Sequence, residues 1–595
     1  MRLDKMESLR RTVYCGELRK ENAGETVVVC GWVQRQRDLG QIIFIDLRDR
    51  TGIVQLAFDD KTDRVLFDKA FQTRSEYVVM AKGMVRMRSA VNKEIPTGDV
   101  EIEVTDYRLL AEAQTPPFEI LENSPVKEDL RLTYRYLDLR RPDMQEAIIA
   151  RHKIVKCARD YYDENGFVEV ETPILIKSTP EGARDYLVPS RVHKGSFFAL
   201  PQSPQLYKQL LMMSGFDRYM QIARCFRDED LRADRQPEFT QIDLEMSFVD
   251  EDDVIRMNEG FMKYLFKKMF NMELSTPFKR LSYKEAMYLY GSDKPDTRFG
   301  LELCDITGAL CKSEFKVFSS AIDGGGSIRA ICVPDSADKL TRKVIDKLTD
   351  FVKDYGAKGL AYSRVTAEGT TSSFEKFLTD KEISAIHEKT GLKENGVLFV
   401  VADSDNQVVY DALGALRVEL AKRLDLIDKT RFDFLWVVDF PLFEYDKEQK
   451  RFVAKHHPFT SPKDNDFARL ESAPGSVLAK AYDLVLNGTE IGGGSIRIST
   501  PDLQEKMFKA LGFSKDEAKE RFGFLMDAFR YGAPPHGGMA YGLDRLVMLM
   551  LGRESIRDVI AFPKVANSGE LMSGAPANVD TKQLEELHIT LCEQK

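Results

Sequence analysis

Two stretches near the middle of the chain alternate between apolar and polar side chains, and a charged loop separates them. The second stretch is the clearer one, because its apolar residues fall at every other position, namely Ile242, Leu244, Met246 and Phe248. A period of two is typical of a β-strand with one apolar and one polar face. The pattern predicts an antiparallel hairpin between residues 218 and 249, with the charged loop at its tip.

The polar face of this predicted hairpin carries several charges. Arg227 and Glu229 stand at one end, and Asp243 and Glu245 lie along the second strand. Burying these charges without partners would be too costly for a neutral core hairpin. We therefore expect this face to bind a ligand that is itself charged.

Short apolar runs separated by turn signals fill residues 11–113 and predict five strands, Val27–Val33, Ile42–Leu47, Ile53–Phe58, Val78–Arg88 and Val100–Leu109. They suit a small barrel such as the OB-fold, whose strand face binds single-stranded nucleic acid. Arg35 and Arg37 would lie beside Phe44 and Gln55, which combines a stacking ring with cations for phosphate. A core phenylalanine beside a solvated arginine face fits the same pattern, so the residues alone leave both interpretations open.

The middle of the chain predicts helices and strands with one interruption. Residues 144–165 have helical periodicity, and residues 167–172 alternate as a strand that stops at Pro173. A short strand and then a helix, opened by Ser203 and Pro204, follow. Between residues 299 and 427 the pattern changes to a mixture of predicted helices and strands that interrupts the preceding order of elements. We interpret these residues as an inserted domain.

Candidate phosphate and metal chemistry lies near the end of the chain. Asp483 and Glu490 fall on neighbouring parts of one predicted sheet, and two carboxylates that face a triphosphate need a cation such as Mg²⁺. Residues 536–541 predict a strand that turns at Gly542 into a helix, with Arg545 in its first turn. A phosphate there would gain both the guanidinium and the helix N-terminus. A surface salt bridge is the alternative role for Arg545.

Composition narrows the class of protein without deciding it. A length of 595 residues suggests roughly four domains of ~150 residues each. The eight cysteines form no CxxC pair and the seven histidines no HExxH motif, so we expect reduced thiols and no structural zinc site. No apolar run approaches the ~20 residues of a membrane span, and the first residues lack an apolar signal core, so we expect a soluble, intracellular protein. The formal net charge of −9 argues against a general nucleic-acid binder but allows a local basic surface.

Three ordered motifs resemble the class II aminoacyl-tRNA synthetases, in the form used by the bacterial-type aspartate enzymes. The helix, strand and proline over residues 144–173 resemble the first motif. FRDE, DRQPEF and TQIDLE between residues 226 and 245 resemble the second, and APPHGGMAYGLDRLVMLMLG at residues 533–552 resembles the third. With the barrel and the insertion, the resemblance covers residues 11–577.

The resemblance implies a two-step reaction. Aspartate and ATP give aspartyl-adenylate and pyrophosphate, and the aspartyl group then passes to the 3′ end of tRNA(Asp). Catalysis is expected from Arg227, Glu229 and Arg545, and ATP binding from Arg227, Asp228, Glu229, Gln236, Glu490, Gly542, Leu543, Asp544 and Arg545. Aspartate is expected to contact Glu181, Ser203, Gln205, Lys208, Arg227, Asp243, His456 and Arg497. Mg²⁺ is expected on Asp483 and Glu490, the anticodon on Arg35, Arg37, Phe44 and Gln55, and discrimination between tRNAs from Leu39 and Lys82.

The expected fold is α+β, with a class II antiparallel-sheet catalytic core, an N-terminal OB-fold barrel and an inserted α+β domain. The expected boundaries are residues 1–113 for the anticodon-binding barrel, 114–141 for a linker, 142–298 and 428–577 for the two parts of the catalytic domain, 299–427 for the insertion and 578–595 for a tail without an assigned role. The resemblance also implies a homodimer through the first motif, a cytoplasmic location and no membrane contact.

Three alternatives stay open. The enzyme could charge both tRNA(Asp) and tRNA(Asn), or it could be an asparagine-specific relative, although such relatives usually lack the insertion and should not carry this charge pattern. A non-catalytic paralogue that only binds RNA is the third. The intact set of Arg227, Glu229, Glu490 and Arg545 argues against it, because a binding module has no use for triphosphate ligands.

Overall fold

The computed structural model describes residues 3–178, 183–229 and 235–592. Its contacts divide the chain into two compact units, one formed by residues 1–151 and 557–578 and the other by residues 152–556 and 579–595. A closed barrel lies in the first unit, and an eight-stranded and a five-stranded sheet lie in the second.

The strands and helices follow one another along the whole chain. In chain order the strands are β1 Thr26–Asp38, β2 Ile43–Asp49, β3 Gly52–Phe58, β4 Val78–Met87, β5 Val100–Ala111, β6 Val168–Glu169, β7 Leu187–Pro189, β8 Phe197–Ala199, β9 Arg218–Phe226, β10 Glu238–Ser247, β11 Lys279–Ser282, β12 Cys304–Asp305, β13 Ser327–Val333, β14 Ala361–Thr366, β15 Gly369–Ser372, β16 Val397–Asp403, β17 Phe434–Val438, β18 Phe443–Asp446, β19 Arg451–Ala454, β20 Ala481–Leu486, β21 Thr489–Ile496 and β22 His536–Gly542. The α-helices are α1 Arg64–Gln72, α2 Glu128–Thr133, α3 Arg135–Asp138, α4 Pro142–Glu164, α5 Gln205–Met213, α6 Glu251–Phe270, α7 Tyr283–Tyr290, α8 Lys316–Asp323, α9 Arg342–Lys353, α10 Asp380–Thr390, α11 Asn406–Arg423, α12 Pro501–Ala510, α13 Lys515–Phe529, α14 Leu543–Met550 and α15 Thr581–Glu586.

The predicted five-stranded barrel is confirmed and closes in the order β1-β2-β3-β5-β4. Its core consists of the inward-facing apolar residues of these strands, among them Val29, Ile45 and Leu56. Helix α1 was not predicted; it begins after Asp63, whose carboxylate accepts a hydrogen bond from the Val65 amide. The segment predicted as an irregular linker also contains two short helices, α2 and α3.

The eight-stranded sheet has the order β11-β17-β20-β21-β22-β10-β9-β6. Neighbouring strands pair antiparallel, except that the edge strands β6 and β11 run parallel to β9 and β17. The predicted strand over residues 167–172 forms a ladder only at Val168–Glu169. A mainly antiparallel sheet with helices is the core that the sequence predicted.

The predicted hairpin is formed by β9 and β10, with Glu238 opposite Phe226 and Met246 opposite Arg218. The prediction was wrong at its end, because β10 stops at Ser247 and Phe248 leaves the strand with φ of 59° and 72 % exposure. Most of β10 is buried on both faces. Its charged residues therefore need partners or a ligand.

Within the predicted insertion, five strands form a separate sheet in the order β12-β13-β16-β14-β15. Alternate residues of β16 pack on opposite faces: Phe399 contributes to the core with α9 and α11, and Leu398 to the core with α8 and α10. The glycine-rich stretch at residues 324–326 forms the turn from α8 to β13.

The cysteines and the apolar character of the helices were also the subject of sequence expectations. All eight cysteines lie in the described part of the chain and are free thiols. Among the described helices, we find none with the length and apolar character needed to cross a bilayer.

Candidate active site

The centre of the large sheet has one face whose side chains are either charged or very small. Cross-strand pairing aligns Asp243, Ala540, Gly493 and Asp483 in a row across β10, β22, β21 and β20. Directly paired residues share a face of a sheet. The next row holds Glu245, Gly538 and Ser495. The small residues of β21 and β22 leave room for carboxylates over the sheet, since the Glu245 carboxylate lies over Gly538 and that of Asp483 over Gly493.

Two cations from distant parts of the chain pair with the carboxylates of β10. Lys208 Nζ lies 2.7 Å from Asp243 Oδ1 and 3.3 Å from Glu245 Oε2. Arg497 Nε and Nη2 donate to the two oxygens of Glu245 at 2.8 and 3.1 Å. Burial raises the pKa of Glu245, but Arg497 and Lys208 outweigh it and bring that pKa down to about 2. Glu245 therefore stays ionised and fixes the Arg497 guanidinium.

A histidine that the sequence reasoning did not single out completes this cluster. Arg497 Nη1 lies 2.6 Å from His457 Nε2, and because a guanidinium only donates, the histidine accepts. Burial and the nearby Arg497 lower the pKa of His457 well below its ordinary value, so the ring is neutral. His456, the expected aspartate ligand, packs edge-on against Phe440 with ring centroids 4.9 Å apart. The two adjacent histidines in the sequence HHPF, residues 456–459, are the feature from which both His456 and His457 could have been recognised as candidates.

Four of the residues expected to bind aspartate carry buried polar atoms without a hydrogen-bond partner among the described residues. These atoms are Gln205 Nε2, Arg227 Nε, Asp243 Oδ2 and His456 Nδ1. Buried polar groups in folded proteins are nearly always hydrogen-bonded, so such a group of orphaned atoms indicates a place for a polar ligand. Ser203 lies just before α5, and Glu181 lies outside the described residues.

A cavity of about 350 Å³ opens at the loop end of the β9–β10 hairpin. Most of the residues expected to bind ATP meet in its walls, namely Arg227, Glu229, Gln236, Glu490, Gly542, Asp544 and Arg545. Gln241 also lines the cavity and shares a face of β10 with Asp243, two residues and about 7 Å further along the strand. The cavity and the charged cluster therefore lie side by side along one strand.

The arginines of the cavity are held at its walls. The Arg227 guanidinium lies over the Phe239 ring, 5.2 Å from its centroid. Arg545 Nη1 lies 3.3 Å from the Glu490 carbonyl oxygen, and Glu229 accepts a hydrogen bond of 2.6 Å from Arg235. Cations arranged in this way suit phosphate oxygens.

The remaining expected ATP ligands adjoin this cavity. The Asp228 amide donates to the Arg184 carbonyl, and Leu543 is the first residue of α14. Gly542 precedes it with φ of −72°, so the predicted turn from strand to helix is present there but does not itself require glycine.

A β-bulge brings Asp483 and Glu490 to the same face. Val485 is opposite Glu490 and Asp483 is opposite Gly493, and the register shifts by one residue between these pairs. In a regular strand the side chains of residues 490 and 493 would point to opposite faces. The extra residue of the bulge places them on the same face. A Cβ atom on Gly493 would lie 2.4 Å from Asp483 Oδ1 and 3.7 Å from Glu490 Oε1.

This carboxylate pair fits a divalent cation. Burial raises the pKa of Asp483 well above its ordinary value, and repulsion by the carboxylates of Glu490 and Asp293 raises it further. A cation between them would remove that repulsion, and carboxylate oxygens are ligands that Mg²⁺ prefers. No group of three or more His, Cys, Asp or Glu side chains in the described residues is arranged as a metal site. Nucleotide oxygens and water would therefore complete the coordination.

We expect Gly493→Ala to raise the KM for MgATP by about tenfold or more, because the new methyl group would push apart the two carboxylates. Steady-state ATP–pyrophosphate exchange at varied MgATP measures this effect. Gly523→Ala is a matched control, since a Cβ atom there meets only Lys519 Cγ, at 3.4 Å. A Gly493→Ala enzyme with unchanged KM for MgATP would show that the two carboxylates do not act together.

The residues expected to bind the anticodon form a separate group on the barrel. Arg37 Nη2 donates to Asp46 and Gln55, both at 2.9 Å, and the guanidinium lies over the Phe44 ring, 5.6 Å from its centroid. Arg35 is exposed on β1. The structure thus brings Arg37, Phe44 and Gln55 together on one face. The expected discrimination residues are Leu39, which is 70 % exposed, and Lys82 on β4.

Family comparison agrees with this architecture. Residues 127–566 match the model of class II tRNA synthetases for D, K and N, and residues 27–110 match the OB-fold nucleic acid binding domain. The chain belongs to the class II tRNA synthetases. It is an enzyme that joins an amino acid to tRNA.

Relatives that match the chain over its full length have names that specify aspartate as the amino acid. The chain is 59% identical to the aspartate–tRNA ligase of Ruminiclostridium cellulolyticum, over 99% of this chain and 100% of that protein. It is 57% identical to the aspartate–tRNA(Asp/Asn) ligase of Caldanaerobacter subterraneus subsp. tengcongensis, over 99% of each. Asparaginyl-tRNA synthetase from Pyrococcus horikoshii, complexed with asparaginyl-adenylate, has the same fold, with a TM-score of 0.57 and 21% identity over 93% of this chain and 98% of that one.

Proposed function

We propose that the protein activates L-aspartate with ATP and transfers the aspartyl group to tRNA(Asp). The observation that carries this proposal is the buried cluster of Lys208, Glu245 and Arg497, which adjoins the cavity beside Arg227. Full-length relatives named aspartate–tRNA ligase support it.

In the activation step, an aspartate α-carboxylate oxygen attacks the α-phosphorus of ATP, and the bond to pyrophosphate breaks. Arg227 holds the α-phosphate and Arg545 the far end of the triphosphate. Glu229 and Gln236 orient the nucleotide. The chain needs no covalent nucleophile for this step, because positioning and charge stabilisation can supply the rate enhancement.

Asp483 and Glu490 would hold Mg²⁺ against the triphosphate. The ion supplies positive charge to phosphate oxygens when it is bound. The chain's own contribution is the spacing of the two carboxylates, which the bulge and Gly493 determine.

Selection of aspartate follows from the charges in the cluster. Lys208 and Arg497 bind the side-chain carboxylate, and Asp243, Gln205 and Glu181 bind the ammonium group. Ser203 and His456 also contact the amino acid. Glu245 fixes Arg497 through two hydrogen bonds, so the guanidinium cannot easily turn away from an unsuitable ligand. Asparagine would place a neutral amide against these cations, and buried donors left unpaired are costly.

The test of this proposal is amino-acid-dependent ATP–pyrophosphate exchange with aspartate, asparagine, glutamate and lysine in parallel. We expect exchange with aspartate and little with the other three. Exchange driven by asparagine and not by aspartate would replace the proposal with the asparagine-specific alternative. No exchange with any amino acid would favour a non-catalytic RNA-binding protein.

In the transfer step, the 3′-terminal ribose hydroxyl of tRNA attacks the aspartyl carbonyl carbon of the adenylate, and the acyl–phosphate bond breaks to release AMP. We propose that the barrel reads the anticodon through Arg35, Arg37, Phe44 and Gln55, since a ring beside cations suits a base next to phosphate. We also place the protein in the cytoplasm as a homodimer formed through the first motif, at α4 and β6.

The enzyme is expected to charge tRNA(Asp) in preference to tRNA(Asn), with Leu39 and Lys82 setting this preference. Relatives of both kinds occur among the similar proteins, so the non-discriminating enzyme is the alternative. Initial rates of aspartylation of the two purified tRNAs separate them. Comparable kcat/KM values for both tRNAs would establish the non-discriminating enzyme.

A further inference from the structure

We infer that the inserted domain positions the carboxylates Asp483 and Glu490 for the activation step, and that Gly414 and Arg417 on α11 are the positioning residues. The contact runs through residues 291–298, which we call the bridging segment. This inference rests on the proposed metal-binding role of the two carboxylates.

Arg417 on α11 holds the first residues of the insertion, which directly follow the bridging segment. It is 1 % exposed, and its guanidinium donates to the carbonyl oxygens of Phe299, Gly300 and Leu301 at 2.8 to 3.1 Å. It also lies over the rings of Phe299 and Tyr290, 4.2 and 4.9 Å from their centroids. No carboxylate among the described residues forms an ion pair with it. Held by these carbonyl oxygens and rings, the buried arginine fixes the backbone that follows the bridging segment and packs on the side chain of Tyr290, which precedes it.

Gly414 lets α11 touch the start of the bridging segment backbone to backbone. A Cβ atom on Gly414 would lie 2.4 Å from the Gly291 carbonyl oxygen. A Cβ atom on Gly291 would in turn lie 2.4 Å from the Tyr410 carbonyl oxygen. Both neighbours are backbone atoms, so a larger residue at either position would force α11 and the bridging segment apart.

The far end of the bridging segment contacts the turn between β20 and β21. Thr297 Oγ1 donates to Asp433 Oδ2 at 2.7 Å, and the Asp433 amide donates to Asn487 Oδ1 at 2.8 Å. A Cβ atom on Gly488 would lie only 2.9 Å from Asp296 Cβ. Asn487 and Gly488, with φ of 52° and 81°, form the two-residue turn of this hairpin.

That turn sets the position of the carboxylates. Asp483 is on β20, four residues before the turn begins, and Glu490 is on β21, two residues after it ends. Displacing the turn moves both strands and changes the separation of the carboxylates. A shift of about 1 Å in a catalytic group can cost about a hundredfold in rate. The insertion would thus act on metal and ATP binding and leave the aspartate cluster of Lys208 and Arg497 unchanged.

The test uses Gly414→Ala, Arg417→Met and Arg417→Lys in the full-length protein. Binding of Mn²⁺ in the presence of ATP is measured from the electron paramagnetic resonance signal of free Mn²⁺, without aspartate and so without turnover. We expect at least about fivefold weaker Mn²⁺ binding in Gly414→Ala and Arg417→Met. In ATP–pyrophosphate exchange, kcat should fall about tenfold to a hundredfold with the KM for aspartate unchanged. Arg417→Lys keeps a cation with three donors and should recover part of both losses.

Leu398→Ala is the matched control, because it removes apolar volume from the core on the opposite face of the same inserted sheet. It should lower the melting temperature and leave Mn²⁺ binding and kcat unchanged below that temperature. The inference is overturned if Gly414→Ala and Arg417→Met fold and bind Mn²⁺ as the unmodified protein does. It is also overturned if Leu398→Ala reproduces their loss, since any weakening of the domain would then have the same effect.

Asp483→Asn separates this inference from the proposed metal role. Loss of Mn²⁺ binding in that variant supports the metal site on which the inference rests. Unchanged Mn²⁺ binding would refute the metal role of Asp483 and the inference with it. If Asp483→Asn loses Mn²⁺ binding but Gly414→Ala and Arg417→Met bind Mn²⁺ as the unmodified protein does, only the inference is refuted and the metal role stands.

Discussion

Arg497→Ala is expected to reduce kcat/KM for aspartate in ATP–pyrophosphate exchange by about a hundredfold to a thousandfold, because truncating one partner of a buried charge pair costs several kcal/mol. The guanidinium is buried and held by Glu245 at 2.8 and 3.1 Å, so no solvent-exposed group can take its place. The KM for ATP should change little, since Arg497 does not line the cavity beside Arg227.

Two further variants sharpen this experiment. Lys208→Ala should have an effect of the same kind, because Lys208 pairs with Asp243 and shares the Glu245 carboxylate with Arg497. Arg497→Lys keeps the charge but loses the paired donors, so we expect only partial recovery. Unchanged aspartate kinetics in both alanine variants would remove the basis for the proposed specificity.

Arg227→Ala should have the second large effect, a fall of about a hundredfold to a thousandfold in kcat, because it removes a charged donor from the phosphate on which charge develops. Its Nε is buried without a partner among the described residues, and its guanidinium is held over Phe239 at the cavity wall. Single-turnover formation of aspartyl-adenylate at saturating ATP and aspartate measures this loss directly.

Arg224→Ala is the control for this substitution. Arg224 is on the same strand, but it pairs with Glu238 at 2.6 Å and does not line the cavity. A surface ion pair of this kind contributes at most about 1 kcal/mol, so we expect near-normal rates. An equal loss in both variants would indicate a general disturbance of the β9–β10 hairpin, and full activity in Arg227→Ala would contradict the phosphate role.

Both predictions depend on a charged face that is largely paired within itself. Lys208 and Arg497 are matched by Asp243 and Glu245, so the cluster has no large net charge to attract any anion. It instead favours a ligand that carries its own matched charges, such as an amino acid with an acidic side chain. The orphaned atoms of Gln205, Asp243 and His456 and the adjoining cavity are consistent with the expected binding site for such a ligand.

Local patterns predicted much of the fold. The five barrel strands and the β9–β10 hairpin were found from alternation and turn residues alone, because these features depend on near neighbours in sequence. The proximity of Asp483 and Glu490 was also predictable, since an Asn-Gly turn joins their strands. The end of β10 could not be predicted, because Phe248 continues the apolar pattern of the strand although its backbone has left it.

Partners from distant parts of the chain could not be predicted in this way. Period-two alternation indicates which face a residue occupies, but the register between strands far apart in sequence depends on tertiary packing. The pairing of Arg497 with Glu245 spans 252 residues, and the contact of His457 with Arg497 follows from it. The bulge that brings Glu490 beside Asp483 leaves no mark in the hydrophobic pattern. The same is true of the backbone contact between Gly414 and Gly291.

Charging of purified tRNA(Asp) with radiolabelled aspartate and, in parallel, with radiolabelled asparagine tests the central claim most directly, because it requires adenylate formation, side-chain selection and transfer in one reaction. We expect rapid formation of aspartyl-tRNA, almost no asparaginyl-tRNA, and loss of aspartylation in Arg497→Ala. Formation of asparaginyl-tRNA at a comparable rate, or no aspartyl-tRNA from a folded enzyme supplied with ATP and Mg²⁺, would contradict the account.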